Sequence, residues 1–375
     1  MTLRVAHMTT IDTSLDLLLA HEFAAIAMNG DVPIAISAPG KYGGKLNERG
    51  IQVVQIENLS RKWSIINDAK AGIQLWKILP ALKLDVLHTH TPKAGVLGRI
   101  IGRMRGVPVI VNTCHGLPFS ESDRPLKKIV ILGVEAIASQ FSDAELFQNT
   151  EDLRRLGWAC GRKATFVGNG IEIERFQKNP DLRARIRSEL GFDDETIVVG
   201  GVGRRVAEKG IREFSQSARD LSDKASFVWI GPSDTDKADA VEDELPSVMS
   251  LGMRTDMPAI YSALDIFVLP SYREGFPRSA MEACAAELPV VLTDIRGSRE
   301  IGEAGQEVLF AEPRNSDSLT AALRLLIEDP KLRKTLARSG YLRAVHAFDG
   351  RQVAAKSYDA YKSSKRFKRL SEGRR

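Results

Sequence analysis

The chain has 375 residues with 53 Lys and Arg against 48 Asp and Glu, and a net charge of +5; it is too long for one typical core and points to two domains of roughly 150 to 200 residues. Cys114, Cys160 and Cys284 are odd in number and scattered, which argues against a disulfide framework and a clustered metal site. No apolar run reaches the roughly 18 residues needed to cross a bilayer, the best candidate, residues 129–141, being short and holding Glu135, and no signal-peptide pattern opens the chain, so a cytoplasmic place is expected.

In chain order, short apolar runs at residues 3–8, 33–37, 52–56, 85–90 and 107–113 read as strands, with helix-like stretches such as 14–28 and 67–79 between them. That alternation predicts a parallel sheet covered on both faces, whose ligands gather at the C-terminal ends of its strands. The polar cluster at 9–14 reads either as a helix cap by Thr13 or Ser14 or as a ligand loop. His88 and His90 fall on one face of a strand because side chains repeat every second residue. Further ligands are too few nearby for a metal, so a structural or positioning role is expected. Arg99, Arg103 and Arg105 share a helix with Val96, Leu97, Ile100 and Ile101. This is either a solvated face over a core or a basic surface suited to an anionic membrane. His115 ends the 107–113 strand. Cys114 beside it points to the opposite face, which rejects a Cys–His nucleophilic pair.

Residues 143–147 and 164–167 read as two more strands, followed by the turn Asn169-Gly170. The polar stretch 172–194 fits a linker and a first helix, with a domain boundary near residue 175. A strand at 196–202 runs into Gly203-Arg204 and then Lys209-Gly210. The third small residue of a dinucleotide fingerprint is missing, but two cations near a helix N-terminus suit a diphosphate. Asp234-Thr235-Asp236, after a strand at 226–230, reads as a solvated acidic loop rather than a metal site. Residues 252–256 precede a helix that Asp256 could cap. The most informative stretch is 265–301. A strand at 266–269 leads to Glu274, and Pro277 suits a first helical position. The N–H groups around Gly275, Phe276, Arg278 and Ser279 then suit a phosphate. Glu282 lies eight positions beyond Glu274, and two carboxylates beside an anion suggest hydroxyl recognition. Helices at 316–328, 330–346 and 351–363 precede a basic tail.

The run Glu274-Gly275-Phe276-Pro277 followed by Glu282 resembles the E-x7-E signature of the family four retaining glycosyltransferases. Gly203-Arg204 with Lys209-Gly210 resembles that family's GR…KG motif, Asn169-Gly170 its NG turn, His115-Gly116 its HG turn, and 252–256 its base-contacting loop. The resemblance runs from the first strand to about Phe348. It implies an α/β chain of the GT-B fold, with two Rossmann-like parallel-sheet domains facing a central cleft. The expected divisions are an acceptor-side domain at 1–174, a nucleotide-sugar domain at 175–349, and a crossing helix with basic tail at 350–375. The resemblance implies His115, Arg204, Lys209 and Glu274 as catalytic residues. It implies Gly203, Arg204, Lys209, Arg254, Gly275, Phe276, Pro277 and Glu282 at the donor, with no metal and no cofactor. The implied reaction is transfer with retention from a nucleotide diphosphate sugar, expected to be UDP-linked, to an acceptor hydroxyl. A lipid-linked glycan in cell-surface polysaccharide synthesis is the expected acceptor, and an anionic membrane surface, not nucleic acid, the expected further partner. The expected location is the cytoplasm, peripheral on the inner face of the plasma membrane. A sugar-nucleotide epimerase of the same fold and a non-catalytic sugar-nucleotide binder are the alternatives. Two departures stand out: the 9–14 loop lacks the Gly-Gly pair of many members, and Glu287 stands where many have glycine. If position 287 needs a positive φ, glutamate costs about 1 kcal/mol there.

Overall fold

The computed structural model describes residues 2–62, 64–121, 123–234, 239–241 and 245–373. They form two compact units, one of residues 1–168 with 350–375 and one of residues 169–349. The first unit holds strands β1 (Arg4–Ile11), β2 (Val32–Ala38), β3 (Gln52–Gln55), β4 (Val86–His90), β5 (Val109–Cys114), β6 (Ala144–Phe147) and β7 (Ala164–Phe166). All neighbours pair in parallel, in the order β3-β2-β1-β4-β5-β6-β7. Because successive side chains point to opposite faces, β1 sends Val5 into one apolar cluster and Ala6 and Met8 into another. The helix Gly350–Ser363 belongs to this unit, and its Tyr358 and Tyr361 complete the cluster containing Val5.

Local signals mislead at two places in this unit. The helix expected across 14–28 is broken at Leu19 into Asp12–Leu18 and Ala20–Met28. Neither Thr13 nor Ser14 caps it; Ile11 holds the N-cap position without a side-chain bond, and Asp12 instead accepts the Tyr42 N–H at 2.6 Å. A tertiary contact thus recruits the carboxylate that local capping rules would keep at the helix end. The arginines of the helix Pro92–Met104 are not one basic face. Arg99 is fully buried and ion-paired to Glu135 and Glu145, Arg103 binds Asp143 at 2.6 Å, and Arg105 lies over the Trp76 ring. A buried guanidinium demands paired acids, and those acids come from elements 36 and 46 residues away.

The second unit holds β8 (Val198–Val202), β9 (Ser226–Ile230), β10 (Val248–Gly252), β11 (Ile266–Leu269), β12 (Val290–Thr293) and β13 (Val308–Ala311). Its order is β10-β9-β8-β11-β12-β13, again parallel. Arg183 and Arg187 grip Asp265 at 2.7 and 3.1 Å, and Asp265 accepts the Val198 N–H at 2.9 Å, which ties the starts of β8 and β11 together. Strand order reverses between β1 and β4 in the first unit and between β8 and β11 in the second. Ligands of such sheets bind at these reversals, beyond the strands' C-terminal ends.

Candidate active site

In the second unit β8 and β11 are neighbours, so the loops that leave them emerge side by side. The β8 loop is held by Trp229, whose Nε1–H donates to the Gly203 carbonyl at 2.9 Å. It continues through the 3-10 turn Ala207–Lys209 to Gly210 at φ 69°. A Cβ on Gly210 would sit 2.0 Å from the Pro270 carbonyl oxygen, so only glycine lets the two loops meet here. Their meeting brings Lys209 Nζ to 2.6 Å from Glu274 Oε1. Arg204 is ion-paired with Asp234, so the first acid of the D-x-D triplet is not simply solvated; Asp236 lies outside the described residues.

The Glu274–Gly275 backbone is packed just as closely. Gly297, at φ 85°, has both carbonyl oxygens 2.5 Å from where a Cβ would stand. Phe276 is buried edge-on against Phe348 at 5.6 Å, and its carbonyl accepts from Asn169 Nδ2 at 3.0 Å. The helix that follows is Arg278–Ala285, with Pro277 at the N-cap position, one residue earlier than its expected place. Pro277 has φ −72° and ψ 115°, so its fixed φ is kept while its extended ψ ends the turn. The first helical turn, with N–H groups that lack intrahelical acceptors and the positive dipole end, therefore follows directly on Glu274. Glu282, on this helix, accepts the Tyr261 hydroxyl at 2.9 Å. Burial raises its carboxyl pKa, against the lowering pull of Arg278. Arg254 stands apart, after β10 at the sheet edge, bound to Asp256 and Glu189 at 2.8 and 2.7 Å. Asp256 holds the N-cap position of the helix Met257–Ala263 but spends its carboxylate on Arg254 rather than on a capping bond. The structure thus gathers Gly203, Arg204, Lys209, Glu274, Gly275, Phe276 and Pro277 about the β8/β11 reversal, sets Glu282 within the next helix, and leaves Arg254 outside the group.

In the first unit His115 follows β5 and heads a chain of imidazoles. Its Nε2 lies 2.9 Å from His90 Nδ1, and His90 Nε2 lies 2.8 Å from His7 Nδ1. His7 Nε2 reaches the Tyr361 hydroxyl at 3.4 Å, Tyr361 meets His88 Nδ1 at 2.7 Å, and His88 Nε2 meets Thr113 Oγ1 at 2.7 Å. Burial is the first cause that lowers the pKa of His7, to about 3, and those of His88 and His90 well below the usual range, with neighbouring imidazoles adding to it. These rings are therefore neutral, each with one N–H and one acceptor nitrogen, so His90 and His7 must donate in the same direction along their shared contact, while the Tyr361 hydroxyl can either donate to or accept from the imidazoles beside it. Ligating nitrogens of His7, His88 and His90 lie within 4.8 Å of one another, close enough for a metal ion. Each of the six nitrogens already has a hydrogen-bond partner in this chain or, for His90 Nδ1, in His115.

Sequence reasoning missed His7 and Tyr361. His7 pairs in register with His88, so a signal existed in the matching strands, whereas Tyr361 arrives from 273 residues beyond His88. Thr91 was also missed; it follows His90 with φ 62° and ψ 147°, a conformation costing a non-glycine residue about 1–3 kcal/mol, and it meets Thr10 at 2.9 Å across the β1/β4 reversal. Burial pushes the Cys114 thiol pKa well above the usual value, which disfavours the thiolate that a nucleophile needs.

Two units built on parallel sheets with Rossmann-like strand reversals are the architecture of the GT-B fold. Residues 13–149 match the family described as Glycosyl transferase 4-like, and residues 183–343 match the family described as Glycosyl transferases group 1. The chain belongs to these glycosyltransferases, one match falling in each unit. It is 29% identical to the UDP-Gal:alpha-D-GlcNAc-diphosphoundecaprenol alpha-1,3-galactosyltransferase of Escherichia coli, over 82% of each chain. It is also 29% identical to the N,N'-diacetylbacillosaminyl-diphospho-undecaprenol alpha-1,3-N-acetylgalactosaminyltransferase of Campylobacter jejuni, over 82% of this chain and 85% of that one. Among solved structures, HepE of Anabaena in complex with UDP and glucose superposes with a TM-score of 0.81 at 20% identity, covering 96% of this chain and all of that one.

Proposed function

We propose that the protein is a retaining glycosyltransferase that moves a sugar from a UDP-sugar to a hydroxyl of a lipid-linked glycan, without a metal ion. The observation that carries this reading is the Lys209–Glu274 contact of 2.6 Å at the β8/β11 reversal, immediately before a helix N-terminus. A nucleotide diphosphate gains negative charge as its bond to the anomeric carbon breaks. Arg204, Lys209 and the first-turn N–H groups are suited to meet that charge. Glu274 then accepts from hydroxyls of the transferred sugar, and Glu282, fixed by Tyr261, from the ribose. His115, directly after β5, is the residue that the first unit would bring to the reaction. Same-face attack assisted by the departing phosphate accounts for retention, and the two cations take the role that a divalent ion plays elsewhere. UDP as donor and a diphosphate-linked lipid as acceptor are supported by the relatives, two of which carry diphosphoundecaprenol acceptors in their names. The group's place would be the cytoplasmic face of the membrane.

Lys209→Ala tests the reading. It should lower kcat/KM by at least about 100-fold, as loss of one donor aimed at developing charge does, while leaving the thermal transition close to that of the wild type. Near-wild-type sugar transfer by this variant overturns the assignment. A thermal-shift comparison of nucleotide sugars identifies the donor, since a ligand at 100 times its Kd adds about 2.7 kcal/mol.

A further inference from the structure

The helix Pro125–Ser139 of the first unit is amphipathic with its apolar side turned outward. Leu126, Ile129, Val130, Val134 and Ile137 are 71, 66, 55, 42 and 64% exposed. Their spacing of i, i+3, i+4, i+8 and i+11 makes one continuous stripe. On its inward side Glu135 is spent on Arg99. Residues 129–141, which drew notice as an apolar run too short to span a bilayer, are therefore largely an exposed surface and not core. The helix Ile65–Leu82 likewise exposes Ile65, Ile66 and Ile73. Exposed apolar patches of this kind mark a membrane or partner surface.

A cavity of about 300 Å3 runs between the helices Pro92–Met104 and Pro125–Ser139. Val96, Leu97, Pro118, Val130, Ile131 and Val134 line it. Pro92, Pro118 and Glu135 also line the smaller cavity around His115 and Gly116, so the apolar slot adjoins the cavity beside His115. Exposed lysines flank these helices, Lys62 just before the helix Ile65–Leu82, Lys70 within it, and Lys127, paired with Asp123 at 2.8 Å, on the helix Pro125–Ser139, and such cations suit a phosphate-bearing lipid surface. We propose that this slot binds the isoprenoid chain of the lipid-linked acceptor, with the chain's head near His115 and its tail crossing the exposed stripe into the bilayer. This rests on the glycosyltransferase reading with a lipid acceptor. A slot near the lower end of ligand-pocket volumes, about 300–1,000 Å3, holds the first isoprene units and leaves the rest to the membrane.

The test uses the full-length protein, a Val130→Gln/Val134→Gln variant, and phosphatidylcholine vesicles with or without a few per cent of undecaprenyl phosphate or phosphatidylglycerol. Both substitutions are at exposed positions, and an unchanged thermal transition verifies the fold. Wild-type protein should bind undecaprenyl phosphate vesicles at least about tenfold more tightly than vesicles of equal charge made with phosphatidylglycerol, and the variant should lose that preference, since an isoprenoid chain that covers the exposed Val130 and Val134 side chains gains more than the roughly 1.4 kcal/mol of a tenfold step. In transfer assays the variant's KM should rise for an undecaprenyl-linked acceptor and stay unchanged for one with its lipid truncated to a single isoprene unit, at constant kcat. Equal binding to both anionic vesicles, or the same preference in the variant, overturns the proposal. So does a dimer in solution that the same substitutions dissociate, which would assign the stripe to a second copy of the chain. Retained, variant-sensitive binding of undecaprenyl phosphate with no transfer to any lipid-linked acceptor supports the slot and overturns the proposed function instead.

Discussion

Glu287→Gly should stabilise the protein. Position 287 follows the helix Arg278–Ala285 and its C-cap Ala286. Glu287 has φ 55°, the positive angle that the resemblance to a family with glycine at this place implies. Its N–H donates to the Cys284 carbonyl at 3.0 Å, and the next N–H, of the buried Leu288, donates to the Ala283 carbonyl at 3.0 Å. These are the two bonds of a Schellman ending, which places its C′ residue in the left-handed region. An L side chain costs about 1–2 kcal/mol there. Glycine removes that cost but gives up about 0.5–1 kcal/mol in backbone entropy, so the net gain is roughly 0.5–1 kcal/mol. For a unit of this size that raises Tm by about 1–4 °C. Urea and thermal unfolding of wild type, Glu287→Gly and Glu287→Ala provide the measurement. Alanine keeps the Cβ and should not reproduce the gain. A glycine variant no more stable than the alanine one would refute the reasoning, because the exposed Glu287 carboxylate would then be what matters.

The buried imidazoles predict acid sensitivity. Neutral His7, His88 and His90 stabilise the fold above the ordinary histidine pKa of 6.5, and that contribution is lost as pH falls from there toward about 3, the value for His7, at up to about 1.4 kcal/mol per pH unit for each ring. Urea midpoints should fall steeply below pH 6; a flat profile down to pH 5 would show that the rings are charged in the fold. Glu22 acts in the opposite direction. Burial raises its pKa to about 8, against the bond it accepts from Ser357 at 2.8 Å, so its contribution is present below pH 4.5 and is lost as pH rises through about 8. Glu22→Gln should therefore reduce the loss of stability between pH 5 and 8, and parallel profiles for variant and wild type would count against a buried neutral carboxyl. Gly210→Ala should lower the stability of the second unit by more than about 2 kcal/mol and depress transfer, because its Cβ meets the Pro270 carbonyl. A variant with the wild-type urea midpoint would mean that the two loops have room to separate.

Much of the architecture was legible because it depends on local pattern. Strand alternation predicted a parallel sheet in the first part of the chain, the resemblance implied a second, and Glu274 through Glu282 fell where a strand end meets a helix start. Glu287 was readable as a candidate strained position because it stands where many members of the family that the chain resembles have glycine, which left only the backbone angle in question. The loop 9–14 was not, because Asp12 answers to Tyr42 across the unit rather than to its own helix. Arg99 looked like surface charge for the same reason: Glu135 and Glu145, which neutralise it, are remote in sequence. The sequence by itself determined the fold class, the site loops and the residue types at the candidate donor site, all set by short-range periodicity and motif spacing. Only the tertiary structure decided that His90, His7, Tyr361 and His88 join into one chain behind His115, and that the helix Pro125–Ser139 turns its apolar side outward. Both follow from where strand pairing and helix packing bring distant residues, and composition records neither a side chain's partner nor the direction in which a helix faces.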